Sequence, residues 1–438
     1  MVNKYVITGA QYGANVNKQF LASVEKYCRV NNAELIIMPM KGKHPDDDGI
    51  LHPDIAQYKT VNREMSINKN IKLKNFNVRP NQIEPTTGLL RLAQGDKTTI
   101  FPSPKQRMRV VPNSNTDLPK MIISTGAITL PYYDRKYKIN RVAEHDHVYG
   151  MAVVERVNGT HYHVRQVQAL KNGKFNDLGY EYSGNKKPVF KGVEALVLGD
   201  LHGIVIDRKA HKANLKQIKE FQPSYVVIHD LFDGSSINHW EENKEFTKQS
   251  TWRAYGLSLE AELKATGKIL KDYADASTNV IVVRSNHDER IDRWLNESRY
   301  VKEPQNNLLG HELYLALADG QNPLQYGLAM FGHDYDNVTF LRRGDELKVR
   351  GFSLDGHGDE GANGGRGSMR SKEYAHGKSI TAHSHTPQIL RNTYVVGTST
   401  PLKLPYTLGF SSWLQTNALL SDLGKVQLVN TIKGKYKL

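Results

Sequence analysis

The chain has 438 residues, 39 % of them apolar and 24 % charged, with a net charge of +14 and a single cysteine, Cys28. This is ordinary globular usage, and it excludes a disordered tail, a collagen-like repeat and a coiled-coil rod. A chain this long buries a sizeable core without staples; one cysteine excludes an internal disulfide and a cysteine-based zinc site, and fits a reducing, cytoplasmic setting.

Residues 4–8 (KYVIT) and 34–38 (ELIIM) read as buried strands. Between them, residues 17–31 place Phe20, Val24 and Tyr27 at helical spacing, giving a βαβ opening. The intervening GAQYGAN is neither a Walker loop nor a GxGxxG fingerprint, so no nucleotide cofactor is expected. Seven of the 17 prolines fall between Pro80 and Pro131, which predicts short strands and ordered loops there. Residues 148–168 read as a hairpin turning at Asn158-Gly159. A stretch rich in Gly, Lys and Asn at 171–188 then places a boundary near residue 190. No internal repeat is visible.

Charge divides at the same boundary. Residues 1–190 hold 28 Lys and Arg against 16 Asp and Glu, whereas residues 191–438 hold 31 against 29. A polyanionic partner explains a basic module of this size, because Lys and Arg contacts to phosphate dominate nucleic-acid affinity. The plain alternative is a solubilising surface charge. No apolar run approaches the roughly 18 residues of a membrane span, and neither a signal peptide nor a basic amphipathic helix stands out, so no membrane partner is expected.

After the boundary, residues 193–199, 224–228 and 279–284 are near-continuous apolar runs, as strands covered on both faces are. Helices are expected at about 209–221 and 255–273, then alternating strands at GLAMFG (327–332) and LKVRGFSLDG (347–356), and a further strand in SITAHSH (379–385). Five clusters of potential metal ligands occur in order: Asp200 and His202; Asp230 and Asp233; Asn286, His287 and Asp288; His357; and His383 and His385. The first three directly follow apolar strands, where ligands bind in such sheets. Carboxylate, imidazole and amide oxygen suit Mn²⁺ or Mg²⁺, and a carboxylate with two oxygens can bridge a metal pair about 3.5–4 Å apart.

This ordered set resembles the calcineurin-like metallophosphoesterase superfamily, whose motifs are D-x-H, G-D-x-x-D, G-N-H-[DE], a lone His and G-H-x-H. The resemblance covers about residues 193–400 and implies an α/β layered fold of two stacked mixed sheets flanked by helices at 191–438. A basic α+β domain at 1–190, for DNA binding or oligomerisation or both, would precede it. It further implies that Asp200, His202 and His385 hold one metal and Asn286, His357 and His383 the other, with Asp230 bridging. The metals are two divalent ions, Mn²⁺ first and Mg²⁺ second, with a metal-bound hydroxide as nucleophile. His287 matches the proton donor to the leaving group, and the adjacent Asp288 is expected to orient it. His229, Ser285 and Ala382 replace motif glycines, so the turns there must be tighter.

His333 competes with His357, but His357 leads a loop in which six of the twelve residues 356–367 are Gly. Arg366, Arg370 and Lys372 follow as candidate partners for substrate phosphate. The pairs His145/His147 and His161/His163 are expected to be strand faces. Tyr132, Tyr133 and Tyr137, interleaved with Arg135, Lys136 and Lys138, suit either base stacking or a plain surface.

Superfamily membership alone does not name a substrate. The basic first part favours a metal-dependent DNase over a phosphomonoesterase or small phosphodiesterase, and over a DNA-binding scaffold with a silent site. The segments YVITGAQ, NAELIIMPM and HGDEGANGGRGS also resemble early host-DNA-degrading nucleases of tailed bacteriophages. That resemblance implies DNA as substrate, action in the cytoplasm of an infected bacterium, and a homo-oligomer. Endo- or exonuclease action stays open.

Overall fold

The structure, a computed structural model, describes residues 3–92, 97–114, 118, 120–238, 258–404 and 409–438. β1 (Lys4–Gln11) and β2 (Ala33–Met40) pair in parallel with Ile7 opposite Ile36, so the chain must cross over between them. The crossover is the helix Lys18–Asn31. Asn17 caps it by accepting the Phe20 N–H, and Asn32 ends it in the left-handed region. Phe20, Val24 and Tyr27 fix it to the sheet. β3 (Lys59–Thr60) adds to the same sheet. β4 (Glu64–Ser66), β5 (Ile71–Lys74), β6 (Thr98–Phe101), β7 (Arg107–Val110) and β8 (Met121–Ser124) leave for a second sheet. β9 (Gly150–Arg156) and β10 (Tyr162–Gln168) form the expected hairpin and return to the first, giving the order β10-β9-β1-β2-β3. β11 (Phe175–Asp177), β12 (Tyr180–Tyr182) and β13 (Val189–Phe190) make a small separate sheet.

The second part begins with β14 (Ala195–Val197), the helix Arg208–Phe221 and β15 (Tyr225–Ile228). The helix Leu259–Ala276 and β16 (Val280–Val282) follow. Residues 255–257 of that expected helix lie outside the described residues. β17 (Val338–Phe340) completes a parallel run, while β18 (Lys348–Val349), β19 (Phe352–Ser353), β20 (Ser379–Thr381), β21 (Gln388–Leu390) and β22 (Thr393–Val395) join the second sheet. β23 (Thr416–Leu420) and β24 (Val426–Asn430) close the order β17-β16-β15-β14-β23-β24. The fold is thus mixed α/β with several mixed sheets.

Strand pairing reveals a repeat that the sequence does not. β1, β2 and β3 are mutually parallel, β9 is antiparallel to β1 and β10 to β9. β14, β15 and β16 with β23 and β24 repeat this pattern in the same chain order. Likewise β4 is antiparallel to β5, β5, β6 and β8 are parallel, and β7 is antiparallel to β8. β18 to β22 repeat that pattern too. β17 has no counterpart in the first part. The two copies meet where β7 pairs antiparallel with β21, Met108 opposite Ile389, so a single ten-stranded sheet runs through both. The expected division near residue 190 therefore does not separate the sheets.

One apolar core lies beneath this long sheet. It joins Met108, Ile123, Ile380 and Tyr394 of the ten-stranded sheet to Ile7 and Ala152 of the first sheet and to Val197 and Val227 of the six-stranded sheet, the third large one. β10 lies beside β24, so the first and third sheets share this layer edge to edge. On its far face the third sheet is covered by helices through Ile218, Leu263, Leu270 and Trp294.

Two local expectations change. GLAMFG is not a strand but the end of the helix Pro323–Met330, which Asn322 caps by accepting the Leu324 and Gln325 N–H groups, with Pro323 in the first turn. His145 and His147 are not strand faces: His145 ends the helix Lys138–His145, and His147 lies in the following loop. LKVRGFSLDG does form a hairpin, turning at Arg350 and Gly351, both at positive φ.

Candidate metal centre

Asp200, His202, Asp230 and His385 leave the ends of β14, β15 and β20 and converge on one point, each offering a ligand atom within 4.8 Å of the others. All four are buried, Asp200 completely. The His202 and His385 Nε2 atoms are 3.1 Å apart, and the latter is also 3.1 Å from Asp200 Oδ2. Asp230 divides its carboxylate between two groups: Oδ2 is 3.4 Å from His202 Nε2, and Oδ1 is 3.4 Å from His357 Nε2. Beyond His357, His383 Nδ1 lies 3.1 Å from Asn286 Oδ1, and the His357 and His383 rings are 5.2 Å apart. The other six residues expected as ligands thus connect to Asp230, Asn286 through His383. His333 instead bonds the Tyr335 hydroxyl, away from the cluster.

The backbone bends sharply to achieve this. His202, Asp230, His383 and His385 all have positive φ, a region that costs a non-glycine residue on the order of 1–3 kcal/mol. Asp230 and His383 directly follow two of the replaced glycines, His229 and Ala382, whereas neither Ser285 nor Asn286 has a positive φ. Such strain persists only where surrounding structure holds it.

Polar bonding is left incomplete. Asp230 Oδ1, His385 Nδ1 and both ring nitrogens of His357 are buried without a hydrogen-bond partner. A buried polar atom without a partner is costly, and buried charges normally pair or coordinate a metal. Burial and the neighbouring Asp200 charge push the Asp230 carboxyl well above the usual range. Burial likewise drives His357 well below its ordinary value. For His202, burial lowers the value, but the Asp230 and Asp233 carboxylates outweigh it and lift it to about 9. This donor set, hard and borderline with no thiolate, fits divalent metal ions.

Around the ligands, Asp233 Oδ1 lies 2.8 Å from His202 Nδ1 and fixes that ring with Nε2 toward the centre. His287 donates from Nδ1 to the Asp233 carbonyl at 2.8 Å, its ring edge-on to His202 at 4.4 Å. Arg290 bonds the same carbonyl and reaches His287 Nε2 at 3.2 Å. Sequence reasoning passed over Arg290, which stands three residues after His287, at the start of the helix Arg290–Asn296. Asp288 does not orient His287. It is buried, accepts the Phe232 N–H at 3.0 Å, and is pushed by burial to about 6.

Of the three phosphate candidates, Arg366 and Arg370 are exposed beside the site. Lys372 is not available: it is turned inward, and its Nζ bonds Gly358 O at 2.9 Å and Thr381 Oγ1 at 3.2 Å.

The corresponding place in the first part lacks the Asp200 carboxylate. Gly9 N bonds Gly126 O and Gly9 O accepts from Ile128, as Asp200 N bonds Gly397 O and Asp200 O accepts from Ser399. Gly9 thus stands where Asp200 stands. A Cβ there would meet Gly126 O at 2.7 Å, so no ligating side chain fits.

The chain is 27 % identical over 470 aligned positions to Protein A1 of Escherichia phage T5, covering 99 % of this chain and 82 % of that protein. The similarity spans the whole chain, and the two are homologues. No family model matches. A solved crystal structure covers 54 % of this chain and 98 % of its own at 11 % identity, with a TM-score of 0.29, too low to establish a shared fold. No described helix is long and apolar enough to cross a membrane.

Proposed function

We propose that this protein is a metal-dependent deoxyribonuclease of the calcineurin-like metallophosphoesterase type, and that it degrades host DNA early in a phage infection. The observation that carries the reading is Asp230, whose two oxygens face two separate groups of imidazoles inside a buried cluster. Asp200, His202 and His385 would hold one divalent ion and Asn286, His357 and His383 the other, Mn²⁺ before Mg²⁺, with Asp230 between them. Ions bound there supply Lewis-acid stabilisation of charge on the phosphoryl oxygens and lower the pKa of water.

The chain's own groups do the rest. His287 is anchored at Nδ1 by the Asp233 carbonyl, and its Nε2 accepts from Arg290; it would serve as proton donor to the leaving oxygen only after Arg290 turns to the substrate phosphate and Nε2 takes up a proton. Arg290 sits at that nitrogen and would neutralise charge on the substrate phosphate. DNA is favoured over a small ester by the 28 basic against 16 acidic residues of positions 1–190.

The test is a gel assay on linear and closed-circular DNA with Mn²⁺, Mg²⁺ or chelator, beside a chromogenic phosphodiester. Metal-dependent loss of DNA, absent in Asp230→Ala, is expected. His287→Ala should retain metal and lose about 10²–10⁴-fold in turnover. Intact DNA with a cleaved small ester would replace this reading with a small-substrate phosphoesterase.

A further inference from the structure

The first part of the chain reaches the metal centre of the second. A cavity of about 530 Å³ opens beside His383 and is lined by Arg366 and Arg370 together with Glu84 and Arg109 of the first part. Arg109 arrives there because β7 pairs with β21: Arg109 stands opposite Gln388, three residues after His385. That separation is at most about 10 Å of extended chain.

Alternation along β7 sends Met108 into the core and Arg107 and Arg109 to the other face. The two arginines then differ. Arg107 is buried, with Nε 3.3 Å from Glu84 Oε2. Arg109 is exposed, and no hydrogen bond or ion pair holds its side chain among the described residues; the same is true of Arg366 and Arg370. Glu84, the carboxylate that faces Arg109, is already bonded by Thr86 and Arg107. The cavity therefore presents three uncommitted guanidinium groups, the side chain best suited to bidentate capture of phosphate.

We propose that Arg109, supplied by the first part, binds a backbone phosphate of the nucleic-acid strand a few nucleotides from the bond being cut, in the cavity that it lines with Arg366 and Arg370. This rests on the nuclease reading. It gives the first part a role in the site itself: part of the lining of the substrate channel, built on the continuous sheet and so fixed in register with the metal ligands.

The experiment compares wild type, Arg109→Ala and Arg109→Lys with Mn²⁺. It measures DNA KM, DNA binding against salt with Ca²⁺ in place of Mn²⁺, and turnover of bis(p-nitrophenyl) phosphate. Arg109→Ala should weaken DNA binding about tenfold and reduce the slope of log K against log salt by about one, as loss of one phosphate contact does. Small-ester turnover should be unchanged, and Arg109→Lys should recover part of the affinity. Unchanged DNA affinity and slope in Arg109→Ala, with a wild type that binds and cuts DNA, would overturn this inference alone. Equal losses on DNA and small ester would also overturn it, by marking a structural role. A wild type that turns over the ester yet neither binds nor cuts DNA would overturn the nuclease reading and this inference together.

Discussion

The Nε2 atoms of His202 and His385 face each other at 3.1 Å in a pocket shared with the carboxylates of Asp200 and Asp230. Two imidazole lone pairs repel unless a proton or a cation lies between them. Since His202 Nδ1 is committed to Asp233, its Nε2 is the nitrogen left to accept a cation. The positive φ of both residues shows how far the backbone is bent to aim them at that point.

Asp233 should therefore control metal affinity without touching the metal. Asp233→Asn removes the charge that orients His202 and keeps the size of the side chain. A loss of about 10–100-fold in metal affinity is expected, read by titration of the apo-protein. Unchanged affinity would leave the carboxylate with no part in fixing the ring.

Acid should weaken the fold by a route separate from the metal centre. His147 is half-buried, held between the Tyr133 hydroxyl and the Thr129 carbonyl, and desolvation lowers it to about 4. Burial also lowers His163 on β10 to about 4. Between about pH 4 and 6.5 the unfolded chain binds protons there that the folded chain does not. Stability is then full above about pH 6.5 and falls as pH drops, on the order of 1 kcal/mol per pH unit for each histidine. Urea unfolding of the apo-protein across this range should show the slope, and His147→Gln should reduce it.

Much of the centre was legible in the sequence, because chemistry there sits on recognisable residues. Asp200, Asp230 and Asn286 each stand at the tip of an apolar run, and His357, which the glycine-rich loop favoured over His333, lies beside Asp230. Orientation was not legible: the partners of Asp288 and Lys372 depend on Phe232 N–H, Gly358 O and Thr381 Oγ1, which only folding brings near. The repeat stayed hidden because it lies in strand pairing and not in shared residues. Gly9 replaces Asp200, and strands as short as Lys59–Thr60 carry no periodicity. GLAMFG misled because its window began after the helix cap at Asn322 and Pro323.

The shared sheet predicts that a chain beginning at residue 191 will not fold alone. Removing β7 bares the edge of β21 and uncovers Ile389 and Tyr394, which pack in the common core. Aggregation, or a broad loss of cooperativity on heating, is expected in circular dichroism and light scattering. A soluble fragment with a sharp transition would show that the second copy carries a sufficient core.

Metal stoichiometry tests the central claim most directly. Elemental analysis of protein loaded with Mn²⁺ and freed of excess should give two ions per chain, and close to none for Asp230→Ala, since both groups of ligands share that carboxylate. An Asp230→Ala protein that keeps two tightly bound ions would contradict the bridging centre and the phosphoesterase built on it.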